Sequence, residues 1–97
     1  MALDEDTAWV LWPEYFDRSR PRSRGRKVKK GLAVVNPTVD MISAALRQLG
    51  LQHKVEREKR YPANWFSSGG RVLVERTGPK SQLVLKVGEL LASAQRS

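Results

Sequence analysis

Arg71-Val72-Leu73-Val74-Glu75-Arg76 is the stretch on which the fold turns. Val72 and Val74 are β-branched and share one face of an extended chain, which makes this a strand, and Thr77-Gly78-Pro79 behind it is turn chemistry. Working outward toward the N-terminus, Tyr61 to Gly70 reads as a loop that carries the rings of Tyr61, Trp65 and Phe66. Before it, Val55-Glu56-Arg57-Glu58-Lys59-Arg60 alternates in charge, a pattern open to a helical turn or an exposed strand. We take Leu51 to Tyr61 as a strand ended by Pro62. Asn36-Pro37-Thr38 opens a helix in either of two ways: Asn36 as N-cap with Pro37 at N1, or Thr38 as N-cap with Asp40 in the first turn. Val39, Ile42, Leu46 and Leu49 then form one apolar face, and Gly50 is the stop, placing Leu51 over Leu46 in a Schellman ending.

At the N-terminal side, Ala8-Trp9-Val10-Leu11-Trp12 is apolar on both faces and is halted by Pro13, which predicts an interior strand. On the C-terminal side, Leu83, Val84, Val87, Leu90, Leu91 and Ala94 recur at helical spacing, with Gly88 a tolerated weak point costing about 1 kcal/mol relative to Ala. The order strand-helix-strand-strand-helix predicts an α+β fold with a three-stranded sheet. The first two strands run parallel through a right-handed crossover. The third lies between them, antiparallel to both, and the two helices cover one face. Residues 1–97 are expected to form a single domain with a long loop at about 13–36 and a second at about 61–70.

The charge is concentrated in the first loop. The chain of 97 residues has 18 Lys and Arg against 10 Asp and Glu, a formal charge of +8. Arg18, Arg20, Arg22, Arg24, Arg26, Lys27, Lys29 and Lys30 fall between positions 18 and 30 with no acid among them, leaving the rest of the chain neutral. Guanidinium groups bind phosphates in bidentate fashion and stack on exposed bases, so this segment suits a nucleic-acid backbone. Its cation density predicts a loop that stays mobile until a polyanion orders it. A milder group, Lys54, Arg57, Lys59 and Arg60 beside Tyr61 and Trp65, then Arg71, has the mix of cations and rings that unpaired RNA bases favour. Two other occupants fit a polybasic segment: unrelated structured RNA, for which it would be a nonspecific anchor, and an anionic membrane or acidic protein. The loop lacks the interleaved apolar face that membrane insertion requires.

Catalysis has little to stand on. There is no Cys, the lone His53 reads as a surface or structural residue, and no acid is spaced with a base as a catalytic pair. Ser68-Gly69-Gly70-Arg71 precedes a strand instead of opening a helix, so it is not a phosphate-binding loop. No enzyme activity and no cofactor are expected. No apolar run reaches the length of a membrane helix, and the acidic start, Asp4-Glu5-Asp6, is unlike a secretory leader.

Three segments in order, Trp12-Pro13-Glu14-Tyr15-Phe16-Asp17, Ser23-Arg24-Gly25-Arg26-Lys27-Val28 and Leu32-Ala33-Val34-Val35-Asn36-Pro37-Thr38, closely resemble the nineteen-kilodalton RNA-binding subunit of the signal recognition particle. Lys59-Arg60-Tyr61-Pro62 with Trp65 and Gly70-Arg71-Val72-Leu73-Val74 continue the likeness, which runs from about Trp9 to Leu91. Lacking a lysine-rich C-terminal extension, the chain looks like the short archaeal form. The resemblance implies the same strand and helix order and a cytoplasmic, monomeric protein that binds the particle's RNA. Members of this family hold two neighbouring hairpin tips side by side, promoting assembly of the GTPase subunit through the shared RNA, without inserting into the membrane themselves. Carried over by position, the basic motif falls on Arg24, Gly25, Arg26 and Lys27, with Lys29 and Lys30 continuing it. Tyr15 and Asn36 frame the loop, and Arg60, Tyr61 and Arg71 match the second region. Arg18, Arg20 and Arg22 exceed the motif and are assigned to general phosphate attraction. Gly25 supplies either a special backbone angle or a close approach to RNA.

Overall fold

The computed structural model describes residues 3–60 and 69–96. Its regular elements are β1 (Ala8–Leu11), α1 (Val39–Leu49), β2 (His53–Glu56), β3 (Arg71–Glu75) and α2 (Lys80–Arg96), the order expected from the sequence. The sheet runs β1-β3-β2, with β3 antiparallel to both neighbours. The register pairs Trp9 with Val74 and Leu11 with Val72 on one side, and His53 with Val74 and Val55 with Val72 on the other. Because side chains alternate across a strand, these six residues share a face. That face meets the helices: Leu11, Val72 and Val74 join Val39, Ile42, Ala45 and Leu46 of α1 and Leu83, Val84, Val87 and Leu91 of α2 in one buried cluster.

Local chemistry sets the helix ends. Of the two possible caps, Thr38 is the one used: its Oγ1 accepts from the Met41 backbone N–H at 3.2 Å. Asn36 instead takes a left-handed conformation, φ 51°, in the turn before the helix, a region Asn tolerates better than most residues. At the other end Gly50 is left-handed, φ 71°. Its N–H donates to the Arg47 carbonyl and the Leu51 N–H to the Leu46 carbonyl, both at 3.1 Å, which is the Schellman pair.

One expectation is overturned. β1 lies at an edge of the sheet, not in its interior. The strand is apolar throughout because Trp9, on the face toward the helices, is covered by the turn after β3, while Ala8 is buried on the other face. The Trp9 indole Nε1–H donates to the Gly78 carbonyl at 2.9 Å, and the Arg76 guanidinium lies 4.4 Å from the ring centroid. Trp12 has left the strand and precedes a 3-10 turn at Pro13–Phe16. The strand expected over Leu51 to Tyr61 forms only at His53–Glu56, and most of the charge-alternating stretch lies beyond it, with a turn at Arg57 and Glu58.

Gly70 closes the β2–β3 connection where the chain has no room for a side chain. Its φ is 81°, and a Cβ built there would fall 2.8 Å from the Glu56 carbonyl oxygen and 2.9 Å from Arg57 Cα. Both neighbours are backbone and cannot turn aside. Gly70→Ala is therefore expected to cost about 3 kcal/mol, from the left-handed backbone and the overpacking together. A lowered urea midpoint at unchanged slope would show it.

Candidate nucleic-acid interface

The segment from Pro13 to Asn36 is irregular in secondary structure but tied at many points. Short 3-10 turns at Pro13–Phe16, Arg22–Arg24 and Lys30–Leu32 are joined by backbone hydrogen bonds between distant parts of the segment. The Arg18 N–H donates to the Val34 carbonyl, the Val34 N–H to that of Phe16 and the Lys27 N–H to that of Tyr15, each at 2.8 Å. Asp17 accepts from both the backbone N–H and the hydroxyl of Ser19 at 2.9 and 2.7 Å, fixing the entry to the arginine run. Phe16, Val28, Ala33 and Val34 are buried in the main cluster. The cation-rich segment is thus folded along α2. Four apolar side chains, which a count of its eight cations does not weigh, anchor the segment in this conformation. Gly25 ends the Arg22–Arg24 turn at φ 113°, so of its two readings the backbone angle is the one seen.

This framework sorts the cations. Arg18, Arg22, Arg24, Lys29 and Lys30 are exposed and have no ion-pair partner among the described residues. Arg20 leans on Asp17 at 3.9 Å and donates from Nη1 to the Arg24 carbonyl at 3.1 Å. Arg26 is half-buried, and its Nε–H is buried with no hydrogen-bond partner among the described residues. Tyr15 is buried under two ammonium groups: Lys27 Nζ lies 5.6 Å and Lys80 Nζ 5.1 Å from its ring centroid. Lys80 also donates to the Tyr15 hydroxyl at 3.2 Å. Burial raises the Tyr15 phenol above its usual pKa, with the Lys27 charge opposing, while burial and the nearby Arg76 lower that of Lys80. Tyr15 therefore presents two cations and keeps its own ring inside. Asn36 is exposed at the far end of the segment.

The second region divides differently. β1 ends, β2 ends and β3 begins at the same end of the sheet, since Leu11 pairs with Val72 and Glu56 with Arg71. The chain entering the basic segment and the β2–β3 connection are thus neighbours, and the Arg71 guanidinium sits 5.6 Å from the centroid of a Trp12 ring. Arg71 itself is buried. Its Nε donates to Glu56 at 2.6 Å and its Nη2 to Glu5 at 2.8 Å. These two carboxylates outweigh burial and raise its pKa, and Arg71 in turn lowers that of Glu5. Arg57 is held by Asp40, with nitrogen to oxygen distances of 2.6 and 3.3 Å, a pairing that raises the arginine and lowers the aspartate. Lys54 and Arg60 are exposed. Tyr61, Trp65 and Phe66 lie outside the described residues. His53 is structural: the Leu51 carbonyl can only accept, so Nδ1 carries the proton at 2.9 Å, and Nε2 accepts from the Ser43 hydroxyl at 2.8 Å.

Three residues that position the segment are missing from the motif reading. Gly88, read as a weak point, is the gap into which the segment docks: a Cβ there would lie 3.0 Å from Val28 Cγ1 and 3.7 Å from the Phe16 ring. Gln95 clamps the backbone of Val35, accepting from its N–H at 3.1 Å and donating to its carbonyl at 2.6 Å. Lys80 adds a cation from α2. A helical glycine on the apolar stripe was the one signal in the sequence for such close packing.

The family model for the SRP19 protein matches residues 10–94. The signal recognition particle 19 kDa protein of Methanopyrus kandleri is 43% identical over 88 residues, covering 91% of this chain and 85% of that protein. That of Methanothermobacter thermautotrophicus is 40% identical over 87 residues, covering 90% and 96%. Among solved structures, SRP19 in complex with the S domain of signal recognition particle RNA superposes with a TM-score of 0.82 at 37% identity, covering 86% of this chain and 95% of that one. SRP19 from Pyrococcus furiosus, solved in a study of the two proteins assembling the ribonucleic core of the particle, gives 0.77 at 27% identity, covering 91% and 90%.

The Val28–Gly88 contact makes a prediction opposite to helix propensity. On propensity alone Gly88→Ala would stabilise an exposed helix by about 1 kcal/mol. Here the new methyl presses on Val28, and overpacking of this kind costs about 1–3 kcal/mol. Gly88→Ala is expected to gain nothing or to lose stability, whereas the same change made in a Val28→Ala background recovers the gain. A double-mutant cycle by urea denaturation should give a coupling of about 1–2 kcal/mol between the two sites; additive effects would exclude the contact.

Proposed function

The chain belongs to the SRP19 protein family, and from that premise we propose that it binds signal recognition particle RNA in the cytoplasm, as a monomer. It grips two adjacent hairpin tips and holds them side by side, so that the GTPase subunit assembles on the shared RNA without this chain entering the membrane. As a member of a family of ribonucleoprotein subunits it is not an enzyme. The observation that carries the reading is the basic segment: eight cations, six of them exposed and in no ion pair among the described residues, on a framework seated along α2. A preformed array meets phosphates with less ordering cost than a free tail would.

Roles follow from placement. Arg24, Lys29 and Lys30, exposed along the turns, contact phosphates or base edges directly, and Arg18 and Arg22 add attraction. Lys27 reaches RNA from above Tyr15. Arg26, with its buried unsatisfied Nε–H, and Gly25 shape the turn that presents Arg24. Asn36 contacts the RNA from the exposed turn before α1. Arg60 and Tyr61 contribute the second grip from the β2–β3 connection, which leaves the sheet beside the basic segment. Arg71 belongs with them as a positioning residue: paired to Glu56 and Glu5 and lying by Trp12, it fixes the relation of the two loops. The A-form major groove is too narrow for side chains, so recognition rests on hairpin-loop shape, 2′-hydroxyls and unpaired bases.

The electrostatic part predicts a salt slope. If about six phosphates are neutralised, log K should fall against log salt with a slope of roughly −4 to −5. Replacing Arg18 or Arg22 by Gln should reduce that slope by about one each and weaken unrelated structured RNA in parallel. Replacing Arg24 should weaken the cognate RNA selectively. For the grip on two tips, RNA carrying both stems should bind more tightly than RNA carrying either alone. Equal affinities for all three would reject bridging, and a slope near zero would reject the phosphate contacts.

A further inference from the structure

Two adjoining hollows lie between the basic segment and the first turns of α2. One, about 340 Å³, is bordered by Tyr15, Lys27, Lys80, Ser81 and Val84. The other, about 330 Å³, shares Lys27, Ser81 and Val84 and continues to Arg22, Lys29 and Leu85. Together they form a cleft with a cation pair at each mouth, Lys27 with Lys80 and Arg22 with Lys29. The floor between is aliphatic, from Val84 and from Leu85, which is 48% exposed and one of the two large apolar side chains standing in solvent among the described residues. The first turn of α2 brings no acid to oppose an anion. Each hollow falls in the range of roughly 300–1,000 Å³ typical of small-ligand sites.

Resting on the RNA-binding reading above, we propose that this cleft is a subsite of the RNA interface for a single unpaired nucleotide, its base lying on Val84 and Leu85 and its flanking phosphates held by Lys27 with Lys80 and by Arg22 with Lys29. The division of chemistry across the cleft favours this occupant. A phosphate alone would have no use for an aliphatic floor, and a paired base could not leave its stack to reach one. An unpaired nucleotide presents a flat apolar face between two anionic groups, the same order as the cleft. Lys80 is half-buried and its ammonium is penalised by that burial; a phosphate arriving beside it relieves the penalty. The wall opposite α2 is the basic segment itself, so RNA bound there is already at the mouth.

The test uses the whole chain and the S domain of signal recognition particle RNA as the probe, with affinity and nucleotide-by-nucleotide chemical reactivity as readouts. Ser81→Trp fills the cleft from an exposed position, and Lys80→Gln removes one mouth cation without adding bulk. Lys86→Gln, on the same helix but outside the cleft, is the charge-matched control. Ser81→Trp is expected to weaken binding about tenfold and to expose one or two unpaired nucleotides that the wild-type protein protects, while protection of the stems persists. Lys80→Gln should weaken binding several-fold and lower the salt slope by about one, with Lys86→Gln close to wild type. Cleft variants that bind within about twofold of wild type and keep the full footprint overturn the proposal. So does a pattern in which they bind RNA normally but fail to recruit the GTPase subunit, since the occupant would then be a peptide. If Ser81→Trp unfolds, Lys80→Gln decides alone. Wild-type protein that does not bind the RNA overturns the family-based reading and this one with it.

Discussion

Everything on the basic side of this molecule depends on Val28 and Phe16 resting against the bare backbone of α2 at Gly88. A segment with eight cations in thirteen residues resists being gathered on one surface. Each close pair of charges repels by about 1 kcal/mol at 4 Å in water, less across a Debye length. Burying a Val or Phe side chain contributes about 1.5–3 kcal/mol. Phe16, Val28 and Val34 are all fully or almost fully buried, so the apolar anchors match the repulsion of a solvent-spread array. They can do so only because the glycine lets the segment approach α2 within van der Waals reach. The backbone bonds from Lys27 to Tyr15 and from Arg18 to Val34 then hold the register between anchors.

The sheet supplies the second constraint. Its antiparallel order brings three strand termini to one end, which sets Trp12, at the start of the basic segment, near Arg71, where β3 begins. Arg71 sits at that junction with a carboxylate from β2 and another from the N-terminal stretch. Removing one partner of a buried charge costs far more than the pair is worth in isolation, so such a node fixes geometry more than it adds stability. Gly70, one residue earlier, admits the chain where any Cβ would strike the backbone of β2. Positive φ and buried charge meet at consecutive residues, and the connection leaves the sheet at one angle as a result.

Much of this was legible in the residues. Val72 and Val74 marked the central strand, Gly50 and Leu51 the end of α1, and the pattern of strands and helices the topology, because each depends on local periodicity or a single backbone angle. What was not legible depended on distant partners. β1, apolar throughout, looked like an interior strand, but the Trp9 ring is covered by Arg76 and Gly78, from a turn nearly seventy residues away in sequence. Gly88 looked like a flaw in a helix because its reason lies in Val28. Arg71 and Arg57 looked like members of a basic patch because nothing in their neighbourhood in sequence says that Glu5 and Asp40 fold onto them. Tyr15, matched by motif, is buried, and its effect on the surface is carried by Lys27 and Lys80.

The pairing of charges is what separates the two populations of cations. The acids that form ion pairs among the described residues go to Arg57, Arg71 and Arg20. Those three arginines are the ones at joints of the fold: α1 to β2, β3 to β2 and the N-terminus, and the entry to the arginine run. The exposed cations of the basic segment, Arg18, Arg22, Arg24, Lys27, Lys29 and Lys30, receive no acid among the described residues. An unpaired surface cation carries its full charge and hydration into an encounter with a phosphate, whereas a paired one must first give up a partner. A net charge of +8 is therefore not a property of the whole surface. The excess falls in the segment from Arg18 to Lys30, which the framework of Phe16, Val28 and Gly88 seats against α2.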